Sequence, residues 1–260
     1  MNTTPSSIPR TSAVVFTSAQ RLDDGVVERR FTLGEVPGIL WTPETATPSD
    51  PRPLILLGQP GGFGLDRMYP RLVGRALSAA SDGIATVALE GPGSGTRPPL
   101  PGADQARADL RRALAAGEPV SDDIIDRLIL PVVEQSVPEW RSALDALLRL
   151  PEVDEPVGYA GGVIAVGVRL AVVEPRIVAA GLFAGSYVPR ATLEEARQVT
   201  IPLHVLLQWD DEGNDRQAAL DLFDAFGSRE KTLQANLGGH TGVPPFAGDD
   251  AARFFARHLK

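Results

Sequence analysis

From Leu54 onward, short continuous apolar runs alternate with stretches of helical spacing. Leu54 to Leu57, Ile84 to Leu89, Pro156 to Ala160, Ile177 to Phe183, Leu203 to Gln208 and Thr232 to Asn236 read as strands buried on both faces. Between them, Arg71 to Ala80, Trp140 to Leu150, Val166 to Val173, Gln217 to Phe226 and Asp249 to His258 have helical periodicity. Two β-rich stretches, Ala13 to Thr17 and Val26 to Trp41, precede this alternation, and Glu44 to Pro53 reads as a loop. Continuously apolar strands separated by helices predict an α/β fold: a doubly wound, mostly parallel, eight-stranded type of sheet with helices on both faces. Residues 1–11 read as a disordered tail and 12–260 as one domain. A helical insertion over 98–138, with helices at Ala106 to Ala116 and Asp122 to Val133, is a potential lid.

Composition narrows the function. The 260 residues carry a net charge of -8, which argues against a nucleic-acid partner, and no apolar run reaches the length of a membrane span. The start of the chain lacks the build of a signal peptide, so a cytoplasmic protein is expected. With no cysteine, thiolate metal sites and a cysteine nucleophile are excluded, and scattered carboxylates with three histidines predict no metal centre. A small-molecule substrate, no cofactor and a potential homodimer are the expectations.

In a doubly wound sheet the working site lies beyond the carboxyl ends of the strands. Four loops stand there. Gly58-Gln59-Pro60-Gly61-Gly62-Phe63-Gly64 has glycines that let backbone N–H groups approach a ligand, but its spacing is not that of a phosphate loop. Glu90-Gly91-Pro92-Gly93-Ser94-Gly95 is a tight excursion whose Glu90 either faces the cleft or accepts N–H bonds from its own loop. Trp209-Asp210-Asp211-Glu212 follows the next-to-last strand, and Gly238-Gly239-His240 the last one. His204 begins a strand and His258 ends a helix, so His240 is the histidine placed for proton transfer.

On these four loops the chain resembles the α/β-hydrolase superfamily, and more narrowly its dienelactone-hydrolase-like branch, from about Val36 to Leu259. The resemblance implies the chain order nucleophile, acid, histidine, with Asp211 as the acid (Asp210 as fallback) and His240 as the base. It also implies an oxyanion site made of backbone at Gln59, Gly61, Gly62, Gly161 and Gly162, with Glu90 and Tyr159 as assisting groups. The nucleophile belongs in a Gly-x-Ser-x-Gly turn after the strand near Pro156. Two registers fit. One puts Ala160 at the serine position between Gly158 and Gly162, as in a deliberately disarmed enzyme. The other puts Val163 there, with Ala165 replacing the trailing glycine, as in natural loss, and strand length favours it. In either register no Ser, Thr or Cys lies between Ser142 and Ser186, and an acyl-enzyme has no atom to form on. Gln59-Pro60 stands where relatives often have His-Gly, and Ser94 and Thr96 where they commonly carry His and Asp.

The leading expectation is therefore non-covalent acid/base chemistry by His240 and Asp211 on a carbonyl-bearing metabolite: elimination, isomerisation, cyclisation or hydrolysis by base-activated water, with lyase or cyclase chemistry of secondary metabolism favoured. The alternatives are an esterase or lactonase carrying a Ser→Ala change at Ala160, and a metabolite-binding protein without catalysis.

Overall fold

The computed structural model describes residues 13–22 and 24–260; the tail expected over residues 1–11 lies outside them. Nine strands form one sheet: β1 (Val14–Leu22), β2 (Val26–Leu33), β3 (Val36–Pro43), β4 (Arg52–Gly58), β5 (Ala85–Leu89), β6 (Val153–Gly161), β7 (Ile177–Phe183), β8 (Leu203–Gln208) and β9 (Lys231–Asn236). Seven helices accompany them among the described residues: α1 (Leu65–Ser81), α2 (Ala103–Ala116), α3 (Asp122–Leu147), α4 (Ile164–Val173), α5 (Arg190–Ala196), α6 (Arg216–Ala225) and α7 (Pro245–Leu259).

The strand order is β1-β2-β3-β5-β4-β6-β7-β8-β9. The first three strands are an antiparallel meander, β3 meets β5 antiparallel, and from β5 to β9 all neighbours are parallel. The chain winds outward from β4 to β5, then returns to place β6 on the other side of β4. The order reverses there, so the carboxyl ends of β4 and β6 flank the crevice where such sheets bind ligands.

Alternation along each strand feeds two cores. Leu54 and Leu56 of β4 and Val157 and Tyr159 of β6 pack under α3 and α4; Ile55 and Leu57 of β4 and Ala160 of β6 pack under α1 and α7. This parity decides the fate of two candidate residues below.

The sheet has one strand more than the eight-stranded type expected, because the β-rich stretch Val26 to Trp41 turns at Gly34 (φ +59°) into two antiparallel strands, β2 and β3, while Val14–Leu22 continues past Thr17 and pairs with β2. The helices expected at 122–133 and 140–150 are one 26-residue helix, α3, running through Pro131 and Pro138. Each proline removes a helical hydrogen bond, but Val133, Val137, Trp140, Leu144 and Leu147 keep one buried stripe across both, and that burial holds the helix together. The 98–138 insertion therefore runs without a break into a helix that covers the sheet. Helix α5 was not anticipated from the sequence.

Candidate active site

The loop after β8 and the loop after β9 meet. Nδ1 of His240 lies 2.7 Å from Oδ2 of Asp211, and Oδ1 of Asp211 accepts the Gly213 N–H at 3.1 Å. The Asp211 side chain is 4% exposed and the His240 side chain 51%, so a buried carboxylate holds an imidazole that opens to solvent. With Nδ1–H donated to Asp211, Nε2 is the ring nitrogen left to take or give a proton. Phe183, at the end of β7, sets its ring edge-to-face against His240 at 5.3 Å. Gln208 Nε2 donates to the Gly239 carbonyl at 3.1 Å, tying the histidine turn to β8. Burial and the nearby Asp211 charge push the Tyr187 hydroxyl above its ordinary pKa. Asp210 does not share the pairing: its Oδ2 accepts the Gly238 N–H at 3.2 Å and braces the turn.

The glycine loop after β4 is less free than expected. Gly62 donates its N–H to Ser94 Oγ at 3.0 Å, and Pro60 has no N–H, so neither offers a donor to an oxyanion. Gln59 Nε2 is bound to the Leu89 carbonyl at 2.6 Å, while its Oε1 is buried without a protein partner. A side chain at Gly61 would meet open space.

Glu90 is a staple rather than an assisting acid. Its carboxylate accepts the Leu65 N–H at 3.1 Å, the Thr96 N–H at 2.9 Å and the Thr96 hydroxyl at 2.8 Å. These bonds satisfy the charge within its own loop and the start of α1. Arg97 donates Nη1 to the Glu90 carbonyl at 2.8 Å and to Glu139 Oε2 at 2.7 Å, clamping α3 onto the end of β5.

At the end of β6 the structure differs from both sequence registers. The strand runs one residue further than expected, to Gly161, which pairs with Gly58. Gly161 (φ +77°) and Gly162 (φ +74°) make the turn, and no described non-glycine residue has positive φ. Ala160 is an ordinary strand residue, 5% exposed, in the core beneath α1 and α7. Val163 has φ −72° and caps α4. A catalytic serine of this fold stands on a strained strand-to-helix turn; here two glycines hold that turn and neither carries a side chain.

Tyr159 points the other way from Ala160, beneath α3 and α4. Its hydroxyl oxygen lies 2.5 Å from where a Cβ at Gly58 would stand and 2.9 Å from one at Gly162, while its ring lies 2.6 Å from one at Gly167. Burial pushes its pKa far above the usual tyrosine range, against the pull of Arg75, and the phenol stays neutral. Beside it is a small cavity of about 30 Å³ lined by Gln59, Ser94, Glu139, Trp140 and Val163 among others, with room for water. His240 is not among its walls.

Arg75 and Phe183 escaped the sequence reading. Each sits in an ordinary helix or strand pattern, and no motif marks it. Among the described residues no cluster of three His, Asp or Glu could hold a metal ion, and no helix is long and apolar enough to cross a membrane.

No family model and no curated protein matches the chain. Among solved structures, a PEG-bound cold-adapted esterase from an Arctic intertidal metagenomic library superposes with a TM-score of 0.73 at 28% identity, over 94% of this chain and 98% of that one. An acetyl xylan esterase from Paenibacillus sp. R4 (TM-score 0.63, 15% identity, 95% of this chain and 88% of that one) shares the fold. So does a dienelactone hydrolase from Anabaena variabilis (TM-score 0.57, 18% identity, 90% and 99%). The strand order, the reversal between β4 and β6 and these superpositions together show that this chain has the α/β-hydrolase fold.

Proposed function

We propose that the protein hydrolyses a carboxylic ester or lactone by direct attack of water, with His240 as general base and no acyl-enzyme. The 2.7 Å pairing of His240 with Asp211 carries this reading, and the similarity to an esterase at 28% identity supports hydrolysis over elimination or cyclisation. Nε2 of His240 takes a proton from water as the water oxygen adds to the carbonyl carbon, and the carbonyl π pair moves onto its oxygen. When the tetrahedral oxyanion collapses, the carbon–oxygen bond to the alcohol breaks and the imidazolium returns the proton to the leaving alkoxide. Asp211 holds the tautomer and stabilises the imidazolium. A positioned base contributes about 10²–10⁴-fold, enough for an activated ester and too little for an amide.

Ala160 lies in the core, which speaks against a disarmed serine enzyme of ordinary mechanism at that position. The test is hydrolysis of 4-nitrophenyl acetate followed by stopped flow and intact mass. Turnover with no burst and no +42 Da adduct (about one acetyl group in place of a proton), lost in His240→Ala, supports the reading. An acetyl adduct, or unchanged kcat/KM in His240→Ala, overturns it.

The bare glycine turn also favours a second reading, non-hydrolytic acid/base chemistry at the same histidine. That reading gains if esters are untouched while the protein exchanges hydrogens α to a carbonyl in D2O, and if His240→Ala abolishes the exchange.

A further inference from the structure

Arg75 stands on α1 beneath the glycine turn. Its Nη2 donates to the Ala160 carbonyl at 3.0 Å, and no carboxylate among the described residues pairs with it. Three arginines elsewhere are matched: Arg97 with Glu139, Arg169 with Glu195, and Arg176 with both Glu174 and Asp145. A guanidinium has five N–H donors in a planar fork, and Arg75 spends one on the protein. Packing around the guanidinium lowers its pKa from the usual arginine value, and no carboxylate offsets this. The residue as a whole is nonetheless exposed.

The turn above it is built to leave the guanidinium uncovered. A Cβ at Gly161 would stand 3.2 Å from Nη1 and 3.4 Å from Nη2, so any side chain there would cap the fork. Gly161 is also left-handed, at φ +77°. The turn after β6 carries a gap, and beside the gap lies a cation with no carboxylate partner.

We propose that Arg75 and the Gly161-Gly162 turn form a carboxylate-binding site. The guanidinium fork takes two oxygens of the anion side by side, the pairing for which its geometry is suited. The choice of a carboxylate rests on the ester-hydrolase reading, because hydrolysis leaves a carboxylic acid at this turn. The site would then hold the product acid, and simple carboxylates would compete with substrate.

The test uses acetate and ¹⁵N-labelled full-length protein. Acetate is titrated while the amide resonances of Gly161 and Gly162 are followed, with inorganic phosphate as a parallel arm. The expected result is a saturable shift of both resonances by acetate at lower concentration than by phosphate. Affinity should fall at least tenfold in Arg75→Gln and by a smaller factor in Arg75→Lys, which keeps the charge and loses the fork. Gly161→Ala, which lays a methyl group over the guanidinium, should weaken acetate as Arg75→Gln does. Absence of a saturable shift, tighter binding of phosphate than of acetate, or equal acetate affinity in wild type and both Arg75 variants overturns the proposal. Because binding is read without turnover, a protein that binds acetate through Arg75 but hydrolyses no ester sinks the hydrolase reading alone.

Discussion

Nδ1 of His240 and Oδ2 of Asp211 lie 2.7 Å apart, although 29 residues separate them in the chain. The carboxylate is buried and the imidazole half exposed, so the pair holds a fixed proton acceptor at an open surface. His240→Ala should reduce turnover by about 10²–10⁴-fold. Asp211→Asn should also reduce it, because the amide no longer selects the tautomer with Nε2 free. Asp210→Asn, which disturbs only the bond to the Gly238 N–H, should stay within a few-fold of wild type. Steady-state kinetics on one chromogenic ester separates the three.

Ala160→Ser should restore no covalent chemistry, since its side chain enters the core beneath α1 and α7. Intact mass after treatment with a fluorophosphonate should show no adduct on wild type or on this variant. Stoichiometric labelling of the variant would mean that the turn sits one residue earlier.

Arg97 and Glu139 are an ion pair with side chains 8% and 6% exposed. Removing one partner from a buried pair leaves the other charge uncompensated and costs about 3–5 kcal/mol. Arg97→Met and Glu139→Leu should each destabilise by that order in urea unfolding. The double variant should recover much of the loss, because it buries no charge.

Gly58→Ala should destabilise by about 1–3 kcal/mol through overpacking. The added methyl falls 2.5 Å from the Tyr159 hydroxyl and 2.9 Å from the Gly161 carbonyl oxygen. Tyr159→Phe in that background should return part of the stability by removing the nearer clash. The remainder, owed to the ring carbon Cζ and the Gly161 carbonyl oxygen, each 2.9 Å from the methyl, should persist.

His204 is half-buried against Phe254, its Nδ1 on the Thr232 hydroxyl and its Nε2 without a partner. Burial lowers its pKa in the folded protein, against the opposing charge of Asp250. The unfolded chain then binds the proton more readily, so this contribution to stability is present above the ordinary histidine value of about 6.5 and is lost as pH falls through the lower folded value. His204→Phe keeps the ring packing and cannot titrate. Its melting temperature should fall less than that of wild type between neutral pH and pH 5.

Apolar runs such as Leu203 to Gln208 and Ile177 to Phe183 were legible in the sequence as buried strands, because a strand covered on both faces must be continuously apolar. Loop position alone marked Asp211 and His240 as partners, since both stand at carboxyl ends of neighbouring strands. What the sequence could not decide was where β6 ends. A strand one residue longer moves the turn onto two glycines and leaves Ala160 inside the strand, where the pleat sends it beneath α1 and Tyr159 beneath α4. The roles of Glu90, Gly62 and Arg75 were likewise decided only in three dimensions, because each depends on hydrogen bonds or gaps supplied by residues remote in the chain. Local pattern records the period of an element; which donors are spent, and which cation is left without a partner, is set by packing.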